Sequence, residues 1–233
     1  MKNHAKIRKL VVLSVLSALI FVLQMLGNIF GKLFANGLAL ALVPIAIGAL
    51  LYGARAGALL GLVMSAAILV YPENYVAIGP FAMNGFEIFK LIIIILIKSP
   101  LAGFVCGSLF SLFFKRGMEI VDVKKRISFL TLGMSISALM VVLVNTGTYV
   151  LLMLLFFTSG NGFTLAEFNN YLGDSAFQNG FLLIILGFVG FNFVIELLIT
   201  FVLSPAINYI IHIITRRYDM GYKYNFIYFN ERS

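Results

Sequence analysis

The chain has 233 residues, of which 61% are hydrophobic and 11% are charged, and its mean hydropathy is +1.04. This composition lies outside the usual range of soluble domains and excludes a water-soluble enzyme or binding module. The formal net charge of +8 would suit a nucleic-acid partner, but the basic residues follow a membrane topology instead, so nucleic acid is not expected as a partner.

Long apolar segments divide the chain into six predicted spans. The first covers 10–30, and a hairpin of two spans follows over 37–70, where Arg55 is the one charged side chain. The remaining spans are expected over 86–114, 127–157 and 181–214. No stretch between them is large enough for a separate soluble domain. The predicted fold class is therefore an all-α integral membrane protein with six transmembrane helices in a single domain covering 1–233.

Basic residues indicate the orientation of these spans. Fourteen of the 17 Lys and Arg residues fall at the two termini, at the tight turn near Arg55 or in the connection over 115–126. All of these segments lie on one side of a six-span topology, and an excess of Lys and Arg marks the cytoplasmic side. Both termini are therefore expected in the cytoplasm, and anionic lipid headgroups of the membrane would supply the counter-charge.

Small residues recur at a spacing of four in two spans. Gly53, Gly57 and Gly61 would share one helix face and are expected to allow close packing within the chain. Ser14 and Ala18 have the same spacing in the first span. They fit either packing within the chain or docking onto a partner membrane protein.

Motifs of catalysis are absent from the sequence, and an enzyme is not expected. There is no P-loop, no GxSxG and no HExxH motif. His4 and His212 lie at the cytoplasmic edges without a cysteine or carboxylate at metal-ligand spacing, and Cys106 is the single cysteine. The sequence therefore predicts no metal site and no cofactor.

The informative residues are polar side chains at membrane depth. With a rise of about 1.5 Å per residue, Lys98, Asn145 and Glu196 lie roughly 18, 20 and 23 Å below the outer ends of their spans, and Asn192 roughly 17 Å. Such residues are costly in lipid unless they are paired or wetted. Two interpretations remain open: Lys98 and Glu196 form a structural ion pair, or the cluster is the floor of a cavity that opens to the outside.

Two long outer loops would surround the mouth of such a cavity. The segments over 71–87 and 158–180 are rich in glycine and aromatic residues, and they suit either a lid over a ligand or a passive surface loop. Asn84 and Glu87 would form the rim. Glu87 also has the spacing of a simple surface ion pair with Lys90.

Four segments resemble substrate-binding S components of bacterial energy-coupling factor (ECF) vitamin transporters. They are LVPIAIGALLYGARAGALLGLV, IKSPLAGFVCG, the NTG of the fifth span, and GFVGFNFVIELLITFVLSPAI of the sixth. The resemblance covers nearly the whole chain, including its length, its six spans and its basic flanks. The motifs are individually loose, since such proteins share a fold more than a signature.

The resemblance implies a mechanism and a set of residues. S components capture a micronutrient near the outer face and then associate with a transmembrane coupling subunit and two cytoplasmic ATP-binding subunits, which topple the S component to carry the pocket inward. The implied substrate-binding residues are Lys98, Asn145, Thr146, Asn192 and Glu196, with Asn84 and Glu87 at the rim. The implied docking residues are Ser14 and Ala18, where serine replaces the first alanine of the family's AxxxA contact. The chain has no tryptophan, so ligand stacking would fall to Tyr75, Phe81, Phe86 or Tyr149.

Two functions are compatible with these features. The first is a high-affinity binding subunit of an ECF-type importer for a small water-soluble vitamin, which cannot pump alone because it has no nucleotide site. The second is an autonomous facilitator or channel for a small solute. Glu196 and Glu87 favour an amine-bearing ligand and Lys98 favours a carboxylate, so the class of ligand stays open at this point.

Overall fold

The computed structural model describes residues 2–34, 40–70, 85–157, 193–194 and 196–202, and these residues form helices and short turns without any strand. The helices are α1 (Lys2–Phe34), α2 (Leu42–Tyr52), α3 (Ala54–Val70), α4 (Gly85–Met118) and α5 (Val123–Phe157). Residues 193–194 and 196–202 are also helical and are called the C-terminal segment. Three described helices are long and apolar enough to cross a membrane, over Lys6–Gly27, Ile88–Met118 and Val123–Met153. The prediction of an all-helical membrane protein is confirmed.

A tight turn joins α2 to α3 at Gly53, as the sequence predicts. Gly53 has φ 87°, a conformation that favours glycine, and its amide donates to the Ala49 carbonyl at 2.8 Å. Arg55 follows in the first turn of α3 and is exposed. With 11 residues, α2 is shorter than the expected segment of roughly 16. It begins at Leu42, which leaves Pro44 in the first turn, where the missing N–H of proline costs no helical hydrogen bond.

Helices α3 and α4 meet along a seam of small residues. The close pairs recur about once per helical turn, at steps of three or four residues along α3 and of four along α4: Ala54 with Gly107, Gly57 with Gly103, Gly61 with Ser99, and Ser65 with Ile95. A Cβ atom built on Gly57 would lie 2.7 Å from the Gly103 carbonyl carbon, so only glycine fits there. The predicted close packing of the glycine repeat is therefore confirmed, and its partner is α4.

The outer part of this seam is closed by a hydrogen bond. The Ser65 hydroxyl donates to the Ile95 carbonyl at 2.7 Å, and both residues are buried. Small residues let two backbones approach closely, which maximises van der Waals contact where lipid offers no hydrophobic driving force between helices. The seam thus fixes both the distance and the register between α3 and α4.

Helices α4 and α5 form a long antiparallel hairpin. Its turn includes Asp122, whose carboxylate caps α5 by accepting from the backbone amides of Lys124 and Lys125 at 2.9 and 3.3 Å. Near the turn, the rings of Phe113 and Phe129 pack with their centroids 5.7 Å apart. Every polar contact between the two helices described below depends on this pairing.

The core is centred on α2, in which every residue except Val43 is buried. Helix α1 covers the core with Leu16 and Ile20 and turns its other face outward. That outer face carries Ser14 and Ala18, which are both exposed. Exposed apolar side chains surround them, among them Leu10, Val11, Val15, Val22 and Met25. An apolar outer face is what lipid or a membrane-embedded partner requires.

The seam generates a stability prediction with a matched control. Gly103→Ala places a methyl group against the Gly57 backbone, so we expect a loss of about 1–3 kcal/mol from overpacking, against a gain of about 1 kcal/mol in helix propensity. Gly147→Ala meets nothing within 4 Å and should leave stability unchanged or raise it. Thermal unfolding is measured in detergent with a thiol-reactive dye, because Cys106 is fully buried until the protein unfolds.

The comparison is decisive because the two substitutions are chemically identical and both lie inside long helices. An unfolding temperature lower for Gly103→Ala than for Gly147→Ala is the expected result. Equal temperatures for the two variants would contradict the seam.

Candidate functional site

A buried hydrogen bond joins α4 to α5 at membrane depth. The Ser99 hydroxyl donates to the Asn145 side-chain oxygen at 3.1 Å, and both side chains are almost fully buried. Ser99 can reach Asn145 because the glycine seam holds its own backbone against Gly61 on the opposite side. One residue therefore contacts α3 through its backbone and α5 through its side chain.

The neighbouring Lys98 contacts α5 through an aromatic ring. Its ammonium lies 4.9 Å from the centroid of the Tyr149 ring, which is one helical turn from Asn145. A cation over an aromatic face is attracted by the negative π surface, and the attraction grows when water is excluded. Lys98 and Tyr149 thus form a second contact between α4 and α5, one turn closer than Asn145 to the end of α5 at Phe157.

The C-terminal segment contributes a carboxylate to the same place. Glu196 is 5% exposed and lies close enough to Lys98 for its charge to act on the ammonium. Thr200, one turn along, is also buried, whereas Val194, Leu198, Phe201 and Val202 are exposed. Polar residues face the interior and apolar residues face outward, which is the pattern of a membrane helix that lines a polar site.

The depth of these groups follows from the helix lengths. Lys98 is 13 residues from the start of α4 at Gly85, or about 20 Å, and Asn145 is 12 residues from the end of α5 at Phe157, or about 18 Å. The hydrocarbon core of a bilayer is about 30 Å thick. The cluster therefore lies below the level at which water ordinarily reaches a lipid-facing side chain.

Near the start of α4 and the end of α5, Lys90 joins the two helices. Its ammonium donates to the Phe156 carbonyl in the last turn of α5 at 3.1 Å and lies 4.9 Å from the centroid of the Phe86 ring. A cation at this position also complements the negative end of the α5 dipole. Lys90 thus fixes the outer ends of α4 and α5. The alternative pairing with Glu87 involves a side chain that is not described.

The structure brings together three of the predicted site residues, Lys98, Asn145 and Glu196, from three helical elements. Thr146 follows Asn145 on α5 and is half-buried. Asn84 and Asn192 lie outside the described residues, as do Tyr75, Phe81 and most of both outer loops. Glu87 belongs to α4, but its side chain is not described.

Sequence reasoning missed Ser99 and Thr200. A signal for Ser99 was present, because it continues the four-residue spacing of Gly103 and Gly107. Thr200 stands four residues after Glu196 and therefore shares its helix face. Both are short hydroxyl residues that stand out less from an apolar span than a charge does.

The cluster contains the kinds of group that small-molecule sites use. It combines a cation, a carboxylate, an amide, a hydroxyl and an aromatic face within two helical turns. A few placed polar groups within apolar walls are typical of a small-molecule site. Within the described part of the chain, no group of three or more His, Cys, Asp and Glu side chains could hold a metal ion.

The Ser99–Asn145 hydrogen bond generates a second prediction. Ser99→Ala leaves the buried Asn145 oxygen without its donor, so the free energy of unfolding should fall by about 1 kcal/mol. Ser111→Ala is the control, because that hydroxyl donates only to the Ser108 carbonyl of its own helix. Unfolding curves of the two variants in one detergent provide the measurement. A Ser99→Ala protein as stable as the Ser111→Ala protein would contradict this role of Ser99.

Comparisons with known proteins agree with the membrane architecture and identify the family. A search of curated proteins and a search of solved structures found no match. The family model described as the ECF transporter, substrate-specific component, matches residues 8–208, which include α2 to α5, nearly all of α1 and the described C-terminal segment. Because the match extends over most of the 233 residues, the chain belongs to the family of substrate-specific components of ECF transporters.

Proposed function

We propose that this protein captures a small water-soluble vitamin or related micronutrient outside the cell and delivers it inward with a coupling subunit and two ATP-binding subunits. Membership of the family makes the protein a substrate-specific membrane subunit of an ECF transporter. The proposal adds where the ligand binds, how the protein is oriented in the membrane and which subunits it works with. It treats 1–233 as one membrane domain in a bacterial plasma membrane.

The observation that carries the proposal is the meeting of Lys98, Asn145 and Glu196 at membrane depth. Polar and charged side chains at this depth are costly, so a protein keeps them chiefly for a ligand or a pathway. They come from α4, α5 and the C-terminal segment, so a ligand among them would contact three elements at once. Asn84, Glu87, Thr146 and Asn192 complete the proposed site.

The proposed orientation has both termini in the cytoplasm. Lys9 lies 6.0 Å from the centroid of the Tyr52 ring, so the start of α1 is beside the turn that precedes Arg55. Exposed basic side chains also surround the turn between α4 and α5, namely Lys115, Arg116, Lys124 and Lys125. Clusters of this kind favour the cytoplasmic side, where anionic headgroups attract them.

A partner is proposed for the exposed face of α1. Ser14 and Ala18 lie on this face among large apolar side chains, where a second membrane helix could approach closely. The sequence has no P-loop, so energy for uphill transport has to come from other subunits. The coupling subunit of the ECF module is the proposed occupant of this face.

The proposal is tested with purified protein in detergent. The protein is incubated with the small-molecule fraction of a cell extract, washed, and examined by native mass spectrometry. Retention of one ligand per chain is expected. Liposomes that contain this chain alone should show no flux of that ligand, whereas liposomes that also contain the coupling and ATP-binding subunits should accumulate it with ATP. Flux through the chain alone, with no retained ligand, would establish the facilitator instead.

Substitutions in the site should weaken binding. Glu196→Ala or Asn192→Ala should reduce affinity for the retained ligand at least tenfold, or by about 1.4 kcal/mol, because each removes a polar contact in a water-poor site. Glu119→Ala is the matched control, since Glu119 is exposed in the turn between α4 and α5. Isothermal titration gives the affinities. If both site variants bind the ligand as tightly as the control variant does, the ligand binds elsewhere in the protein.

Substitutions on α1 should separate binding from transport. Ser14→Phe or Ala18→Phe fills the space that a partner helix would occupy, so uptake should stop while ligand binding is unchanged. Ala66→Phe adds the same bulk at an exposed alanine of α3 and serves as the control. Uptake by cells and binding by purified protein are measured side by side. Normal uptake in both α1 variants would exclude this face as the docking surface.

A further inference from the structure

We propose that the ligand carries one carboxylate group, which binds between the ammonium of Lys98 and the side-chain amide of Asn145. This inference rests on the proposed function, because it assigns the chemical class of the molecule that enters the site. It follows from which hydrogen-bonding groups of the cluster are already used by the protein and which are not.

The Lys98 ammonium has donors to spare. It carries three N–H groups and no acceptor. Its contact in the structure is the face of the Tyr149 ring, 4.9 Å from the centroid, and the described residues offer it no hydrogen-bond acceptor. A cation held over a ring at membrane depth still lacks directional partners. An anionic oxygen from a ligand would supply them.

Asn145 adds a second set of donors beside it. Its oxygen is already used, since it accepts from Ser99 at 3.1 Å. The amide nitrogen has two N–H groups, and within the described part of the chain they donate to no acceptor. Asn145 is only 5% exposed, so little of this side chain is open to solvent. The hydrogen bond from Ser99 therefore orients the amide with its donors available.

Donors from two adjacent helices select an acceptor with two oxygens. Asn145 and Tyr149 are one turn apart on α5, and the Lys98 ammonium lies over the Tyr149 ring, so both sets of donors belong to the same short stretch of the α4–α5 interface. A carboxylate presents two oxygens, and one can accept from the ammonium while the other accepts from the amide. Hydrogen bonds to a charged acceptor are stronger than those to a neutral carbonyl.

Glu196 restricts the charge of the ligand. It is engaged within the protein and acts electrostatically on Lys98, so the cluster already contains one positive and one negative side chain. A single carboxylate in contact with Lys98 is attracted by that cation, and this attraction offsets its repulsion by Glu196. A group with two negative charges, such as a phosphate monoester, would add a second uncompensated charge at membrane depth. The site therefore favours a monocarboxylate over a phosphate.

The test uses one probe in two chemical forms. The small-molecule fraction of a cell extract is divided, and the carboxyl groups of one half are converted to methyl esters. Each half is incubated with the purified full-length protein, and the retained compound is identified by mass spectrometry. The untreated half should yield a compound with one carboxyl group. The esterified half should yield at least tenfold less of the corresponding ester.

Two variants assign the carboxylate to its partners. Lys98→Met and Asn145→Asp should each reduce retention of the untreated compound at least tenfold, the first by removing the cation and the second by replacing the amide donors with a repelling carboxylate. Lys90→Met is the control, because Lys90 bonds to the Phe156 carbonyl near the outer end of α5 and lies two helical turns away along α4. Its retention should match that of the unchanged protein.

Each outcome decides the question. A retained compound without a carboxyl group, or equal retention of the esterified form, would overturn the carboxylate assignment and leave the proposed function standing. Retention of the acid by Lys98→Met at the level of Lys90→Met would overturn the site of binding. If the unchanged protein retains nothing from either half, the proposed function itself fails. The esterification arm needs no variant, so it remains informative if a substituted protein does not fold.

Discussion

The structure depends on the close approach of α3 and α4 along the seam that runs from Gly107 to Ser65. Two helices whose backbones touch can slide or rotate very little. Here the close pairs recur about once per turn along both helices, so a shift of either helix would break all of them. Helix α4 is thereby fixed with Lys98 and Ser99 directed at α5. If larger side chains separated the two helices, Ser99 could not contact Gly61 with its backbone and Asn145 with its hydroxyl at the same time.

The contacts of the polar groups at membrane depth depend on the close approach of α3 and α4. In lipid, an ammonium or an amide is stable only where the surrounding protein supplies charge, a π face or a hydrogen bond. The protein supplies each of these: Tyr149 for the Lys98 ammonium, Ser99 for the Asn145 oxygen, and Glu196 as a nearby opposite charge. These contacts still leave N–H groups of Lys98 and Asn145 that no described residue uses.

Much of this architecture was predictable from hydropathy. Apolar runs longer than a bilayer requires predicted the long helices, and a lone arginine between glycines predicted the tight turn at Gly53. The family was recognisable from segments along most of the chain, and the family match confirms it. Counting residues from the ends of the spans also placed Lys98, Asn145 and Glu196 at similar depth. Their contribution to ligand binding stays a prediction.

Details of contact were less predictable. Charge alone allowed an ion pair of Lys98 with Glu196, but it gave no sign that the ammonium lies over the Tyr149 ring as well as within electrostatic reach of Glu196. Which side chains meet depends on how each helix is rotated about its own axis. Hydropathy gives little information about this rotation when a span is apolar on every side. The glycine repeat was visible, but its partner on α4 was not, since Gly103 and Gly107 looked like ordinary small residues until α3 was placed beside them.

The unequal lengths of the helices have a mechanical consequence. The Gly53 turn is level with Gly107, whereas α4 continues for 11 residues to Met118, or about 16 Å further. A flat bilayer cannot match the short α3 and the long α4 together, and each ångström of mismatch costs a fraction of a kcal/mol through tilting or local thinning. The resting tilt of the protein is therefore a compromise with the surrounding lipid. Bilayer thickness, and with it acyl-chain composition, therefore affects the tilt of this protein.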